Sequence, residues 1–209
     1  MTAAFRMVRL GTALAAVSLT VLGAAGTAAA QAPAAAQQRP VAAAAASVDY
    51  ATWQADVQAV MAEARPYVER RIAEAGGQKQ AIVLDIDNTS LETHFQVLPP
   101  TPAVAPVRDL ARYAHDRGVA IFFVTARPDL IGAVTKANLT TVGYPVTGLY
   151  QRSLLDLFGS TAEFKTAKRA EIEAKGYTII ANIGNNTTDL VGGHAEATFK
   201  LPDYDGQLS

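Results

Sequence analysis

The chain contains no cysteine, which excludes disulfide and thiolate chemistry. That absence does not argue against export, because a chain of 209 residues can bury enough surface to fold without disulfides. Neither sign of charge dominates. Eighteen basic and nineteen acidic side chains leave a net charge of −1, and nothing resembles the basic footprint of a nucleic-acid binder. There is no internal repeat, and at about 150 residues per domain one folded domain is expected. The three histidines, His94, His115 and His194, are scattered and form no cluster. The 50% hydrophobic content is inflated by alanine near the start of the chain.

That start reads as a targeting segment. Arg6 and Arg9 form a short basic region, Leu10 to Ala25 is apolar, and Ala28-Ala29-Ala30 fits the small-residue pattern before a cleavage site. Leu10 to Ala30 approaches the roughly 20 residues of a membrane span. The alanine-rich run and the A-x-A site instead favour a signal peptide over residues 1–30, cleaved after Ala30, and a secreted product with no stable membrane association. Arg6 and Arg9 are not adjacent, which disfavours twin-arginine export. Cleavage would leave 16 basic and 19 acidic side chains. Residues 31–46 are rich in Ala and Pro without apolar periodicity and read as a flexible spacer. The folded domain is expected over 47–209.

Within it, Trp53, Val57, Val60, Met61, Ala64, Val68 and Ile72 recur at helical spacing. Ser47 is a candidate cap, Pro66 marks a kink or boundary, and Gly76-Gly77 marks the end. Buried strands are expected at Ala81–Leu84, Val119–Val124 and Tyr177–Ile183, a weaker one at Tyr144–Tyr150 and a short one at Thr198–Leu201. Helices are expected from Thr101 or Pro102 to Arg117, over Asp129–Thr141 and over Thr161–Lys175. Strands apolar on both faces, alternating with helices, predict a Rossmann-like three-layer α/β/α fold with a mostly parallel sheet. In such sheets ligands sit at the carboxyl ends of the strands.

The first strand runs into "DIDNTS", Asp85 to Ser90. Two carboxylates at the end of a buried strand are expensive unless something pairs with them. A divalent cation is one reason, since Mg²⁺ takes one or two carboxylates plus waters and phosphate oxygens. A reaction in which one acid attacks and the other moves a proton is a second. A solvated turn is a third, with Asn88 and Thr89 supplying turn hydrogen bonds. A Ca²⁺ loop fails, because Ser90 and Gln96 stand where Gly and Glu are required.

Four motifs decide among these. The strand followed by Asp85-Ile86-Asp87-Asn88-Thr89 resembles the first motif of the haloacid dehalogenase superfamily. "FFVTARPD", Phe122 to Asp129, resembles the second, and Thr161 to Leu190 the third and fourth. Together with "FKLPDY", Phe199 to Tyr204, the pattern looks most like the secreted acid phosphatase branch, which takes in the class B and plant vegetative storage protein-like enzymes. The resemblance spans roughly Trp53 to Leu208. It implies a Mg²⁺-dependent phosphomonoesterase with Asp85 as nucleophile and Asp87 as acid and base. Thr125 and Lys165 then bind phosphate, and Asp85, Asp87, Asn185 and Asp189 hold the metal. Asn88, Ala126, Arg127 and His94 flank the motifs as candidate substrate contacts, with Arg127 equally suited to an ion pair. Because Asp87 must carry a proton in the first step, a mildly acidic optimum is expected.

The sequence departs from the family at one point: Asn185 stands where the fourth motif normally carries a metal-ligating Asp. The departure opens an alternative, a weakened or inactive binding or storage protein on the same fold. Phosphoryl transfer to another alcohol would use the same residues. Asn185→Asp is expected to tighten Mg²⁺ binding. The short segment between Thr89 and Thr101 leaves no room for a full lid, so a minimal or absent cap is expected. The natural substrate and the oligomeric state are not legible.

Overall fold

The computed structural model describes residues 47–208. The segments expected as a signal peptide (residues 1–30) and a spacer (residues 31–46) lie outside that range. Five strands, β1 (Lys79–Leu84), β2 (Ala120–Pro128), β3 (Gly148–Arg152), β4 (Tyr177–Gly184) and β5 (Thr198–Lys200), pair in parallel in the order β3-β2-β1-β4-β5. Five helices accompany them: α1 (Tyr50–Ala73), α2 (Ala105–His115), α3 (Gly132–Thr141), α4 (Thr161–Ala174) and the single turn α5 (Thr187–Leu190). No helix among the described residues is long and apolar enough to cross a membrane.

Alternation along the strands builds the three layers. Ile82, Leu84, Ile121 and Phe123 join Trp53 and Val57 of α1, Leu110 of α2 and Leu139 of α3 in one core cluster. Their neighbours Ala81, Val83, Phe122 and Val124 join Phe164 and Ile172 of α4 in a second cluster on the opposite face. Each fully buried large apolar side chain contributes about 1.5–3 kcal/mol relative to exposure. These two faces therefore hold the strand ends, and the polar residues carried there, at fixed positions.

Several boundaries differ from expectation for identifiable reasons. Asp49, not Ser47, caps α1, its carboxylate accepting from Thr52 N at 2.8 Å. The helix runs through Pro66 unbroken: Trp53, Val57, Met61, Ala64 and Val68 keep their buried stripe across it, and that packing outweighs one lost backbone bond. Helix α2 begins at Ala105 rather than near Thr101, because residues 101–104 pair with the loop after β1. Glu92 N donates to Pro102 O and Val104 N to Ser90 O, and Leu91 bridges Ala103. Strand β3 begins at Gly148, four residues later than expected. Tyr144 is instead buried, its hydroxyl donating to Ser90 O at 2.9 Å. Residues 129–131 form a 3₁₀ turn before α3.

Candidate active site

The strand order places a topological switch point between β1 and β4, where adjacent connections leave in opposite directions and a crevice opens. A cavity of about 570 Å³ lies there, lined by Asp85, Asp87, Asn88, His94, Thr125, Ala126, Lys165, Asn185 and Asp189 among others. Of the residues expected at the site, only Arg127 does not line it. No cap domain stands over the cavity among the described residues, as the short segment after β1 led us to expect.

Asp85 sits at the end of β1 with its backbone N–H bonded to Ile183 O of β4, so its position is set by the sheet itself. Its carbonyl accepts from Ser90 Oγ at 2.5 Å, closing the loop beneath it. Asn88 follows in the left-handed region at φ 55°, a conformation asparagine tolerates better than most residues. Its Oδ1 accepts from His94 N at 2.7 Å, which folds the loop back over the cavity edge.

Lys165 projects from α4 and is almost fully buried. Its Nζ stands 2.6 Å from Asp85 Oδ1 and 2.5 Å from Asp189 Oδ1. Burial opposes charge on this ammonium, but the two carboxylates outweigh it and hold its pKa above the ordinary lysine value. One cation facing two buried acids leaves an excess negative charge. Burial pushes Asp85 up to about 7, with Asp189 and Asp87 adding to the rise and Lys165 opposing it.

Asp87 has a different partner. Arg127, at the end of β2, holds it in a two-pronged ion pair, Nε to Oδ2 at 2.9 Å and Nη2 to Oδ1 at 2.8 Å. Of the two roles open to Arg127, the ion pair is the one the structure contains. Thr125, fully buried at the cavity floor, accepts from Arg127 N at 3.2 Å.

Asp189, expected as a metal ligand, has a protein partner on each of its oxygens. Oδ1 meets Lys165, and Oδ2 accepts from Asn186 N at 2.8 Å in a capping box at the start of α5. The Asn-x-x-Asp spacing of residues 186–189 is itself a cap signature that could have been read from the sequence. Gly184 makes this arrangement possible, since a Cβ there would lie 2.4 Å from Asp189 Cβ. The side chain of Asp87 is likewise engaged, which leaves its backbone carbonyl for a metal. An oxygen donor set is present in the cavity: the Asp85 carboxylate, the Asp87 carbonyl and Asn185 Oδ1, with Asp189 beside them on Lys165. The Asn185 amide is oriented by Nδ2 donating to Leu208 O at 2.9 Å. Few carboxylates and several waters is the coordination Mg²⁺ takes, so these residues fit that ion.

Gln207 and Leu208 also line the cavity. They lie beyond every motif, and no local pattern signals them.

Solved structures with the same fold include the class C acid phosphatase from Bacillus anthracis. That match is 20% identical, has a TM-score of 0.56 and covers 69% of this chain and 67% of that one. The tungstate-bound form of the same enzyme matches at 21% identity, a TM-score of 0.55 and the same coverage. Among curated proteins, the stem 28 kDa and stem 31 kDa glycoproteins of Glycine max are each 34% identical over 93 residues, or 41% of this chain. The match spans only about a third of those relatives, 35% and 31% of their respective lengths. The family model described as HAD superfamily, subfamily IIIB (acid phosphatase), matches residues 5–97 and 99–207, nearly the whole chain. The chain thus belongs to subfamily IIIB of the HAD superfamily, the acid phosphatases.

Proposed function

We propose that the chain is an exported, Mg²⁺-dependent phosphomonoesterase working through an aspartyl-phosphate on Asp85. The observation that carries this reading is the contact of Lys165 with Asp85 at 2.6 Å, inside a cavity that also collects Thr125, Asp87 and Asn185.

In the first step an Asp85 carboxylate oxygen attacks phosphorus. The bond to the leaving oxygen breaks, and that oxygen takes a proton from Asp87. In the second, Asp87 takes a proton from water as its oxygen attacks phosphorus, and inorganic phosphate leaves Asp85. Lys165 and Thr125 face the phosphoryl oxygens, where preorganised donors stabilise developing charge. Asp85, the Asp87 carbonyl and Asn185 would hold Mg²⁺, which neutralises phosphoryl charge when bound. For Asp87 to reach the leaving oxygen, its carboxylate has to exchange its contact with Arg127. An uncapped cavity of about 570 Å³ admits varied small phosphomonoesters and selects weakly among them.

Export rests on Arg6, Arg9, the apolar run after them and Ala28 to Ala30. Asn185 in place of an acid, with Arg127 clamped on Asp87, favours one second reading: a binding or storage protein on the same scaffold. Hydrolysis of p-nitrophenyl phosphate with and without Mg²⁺, across about pH 4.5 to 8, separates the two. Turnover that EDTA removes supports the enzyme; no turnover anywhere in that range supports the binding protein.

A further inference from the structure

The turn Tyr204–Leu208 lies outside the catalytic motifs, yet its last described residue reaches two of their loops. Leu208 is 1% exposed, buried in the cluster it shares with α1. Tyr204 Oη donates to Asp56 Oδ2 on α1 at 2.7 Å, and Leu208 N donates to Asp203 O at 3.1 Å. Anchored in this way, the Leu208 carbonyl accepts two side-chain amides. Asn88 Nδ2, from the loop after β1, lies at 2.7 Å, and Asn185 Nδ2, from the loop after β4, at 2.9 Å.

A carbonyl oxygen only accepts. The Asn185 group that faces it must therefore be the NH₂, and the amide oxygen must turn away, where it accepts from Thr89 Oγ1 at 3.2 Å. Aspartate at this position has no hydrogen to offer. One of its oxygens would face the Leu208 oxygen at a residue only 3% exposed, two acceptors with no hydrogen between them.

We propose that the turn Tyr204–Leu208 is a positioning element of the site, and that its Leu208 carbonyl makes asparagine rather than aspartate the residue this chain needs at 185. Asn185 is then matched to the turn, and the gain in Mg²⁺ affinity expected from Asn185→Asp is withheld by the carbonyl. The Mg²⁺ part of this inference rests on the metal reading above; the amide-orientation part does not.

The test is a cycle of four chains: the parent, Asn185→Asp, a chain ending at Gly206, and the two changes combined. Thermal midpoints are measured first in EDTA. Asn185→Asp lowers the midpoint by roughly 3–8 °C in the full chain and by less than half of that in the shortened one. Equal shifts in both backgrounds overturn the proposal. Mg²⁺ alone is then titrated by calorimetry. Asn185→Asp improves affinity at least about tenfold more in the shortened chain than in the full one, a coupling that general destabilisation does not produce. The same improvement in both counts against the proposal. If no chain binds Mg²⁺, the metal reading fails and the EDTA cycle still decides the orientation claim. If the shortened chain does not fold, Leu208→Ala, which loosens the anchor, takes its place and must show coupling of the same sign.

Discussion

Asp85 and Asp87 leave the same strand two residues apart and enter opposite surroundings. The Asp85 side chain is 7% exposed and shares one lysine with a second buried carboxylate; the Asp87 side chain is 44% exposed and is clasped by an arginine. Strand alternation would have put residues i and i+2 on the same side; the difference arises because β1 ends at Leu84 and the chain turns into the loop between the two acids. The inner acid is fixed to the sheet through its N–H and paired with Lys165, and its carboxyl is pushed upward chiefly by burial. The outer acid stays open to solvent. Two identical side chains thus acquire different surroundings from depth and partner alone, and the proposed division of nucleophile and proton carrier rests on that difference.

The comparison breaks most visibly at the inner acid. Asp85→Asn is expected to lower turnover on the order of 10⁴-fold, with the circular dichroism spectrum of the parent retained. Lys165→Met comes next. It leaves Asp85 and Asp189 buried without their cation, and denaturant unfolding should show a loss of about 3–5 kcal/mol. Unchanged stability there would mean that the buried triad is not ion-paired in solution.

Arg127→Ala tests the outer acid. An arginine that positions Asp87 should lower kcat by roughly ten- to a hundredfold with KM little changed, whereas one that binds substrate should raise KM instead. The smallest effect is expected at a remote pair of similar build, Arg71 with Glu196, where Nε lies 2.6 Å and Nη2 2.9 Å from the carboxylate oxygens. Its hydrogen bonds from Arg71 hold the Glu196 pKa below the ordinary 4.5. A depressed carboxyl pKa contributes stability that is present above the unfolded value and lost as pH falls through the folded one. Glu196→Gln should therefore cost about 0.2–1 kcal/mol at neutral pH and nothing well below both values, leaving turnover intact. A loss of turnover matching that of Arg127→Ala would show that the latter reflects general stability rather than positioning.

Much of this contrast was legible in the sequence. Apolar runs that are buried on both faces, as in "VAIFFV", need no tertiary information to be read as central strands. The residues that end them, Asp85, Thr125 and Asn185, follow at once, so their convergence on one crevice follows from the fold rule. The partners were less legible. Nothing local pairs Arg127 with Asp87 across forty residues, because that contact depends on β1 and β2 being neighbours. Asp189 was expected near a metal, and its capping-box pairing with Asn186 was a second role that the spacing alone could have suggested. The start of α2 moved to Ala105 because residues 101–104 found bonds to the loop after β1, a tertiary contact that overrides local preference. Leu208 was invisible as a site residue, since it meets Asn88 and Asn185 through a backbone carbonyl that any residue possesses.

The central claim is that Asp85 becomes phosphorylated during turnover. Acid-quenching the purified chain during hydrolysis of a ³²P-labelled phosphomonoester in Mg²⁺ tests it directly. We expect a hydroxylamine-sensitive acyl-phosphate on the parent chain and none on Asp85→Asn. Turnover that proceeds without a phosphoenzyme, or label that persists in Asp85→Asn, would contradict the account.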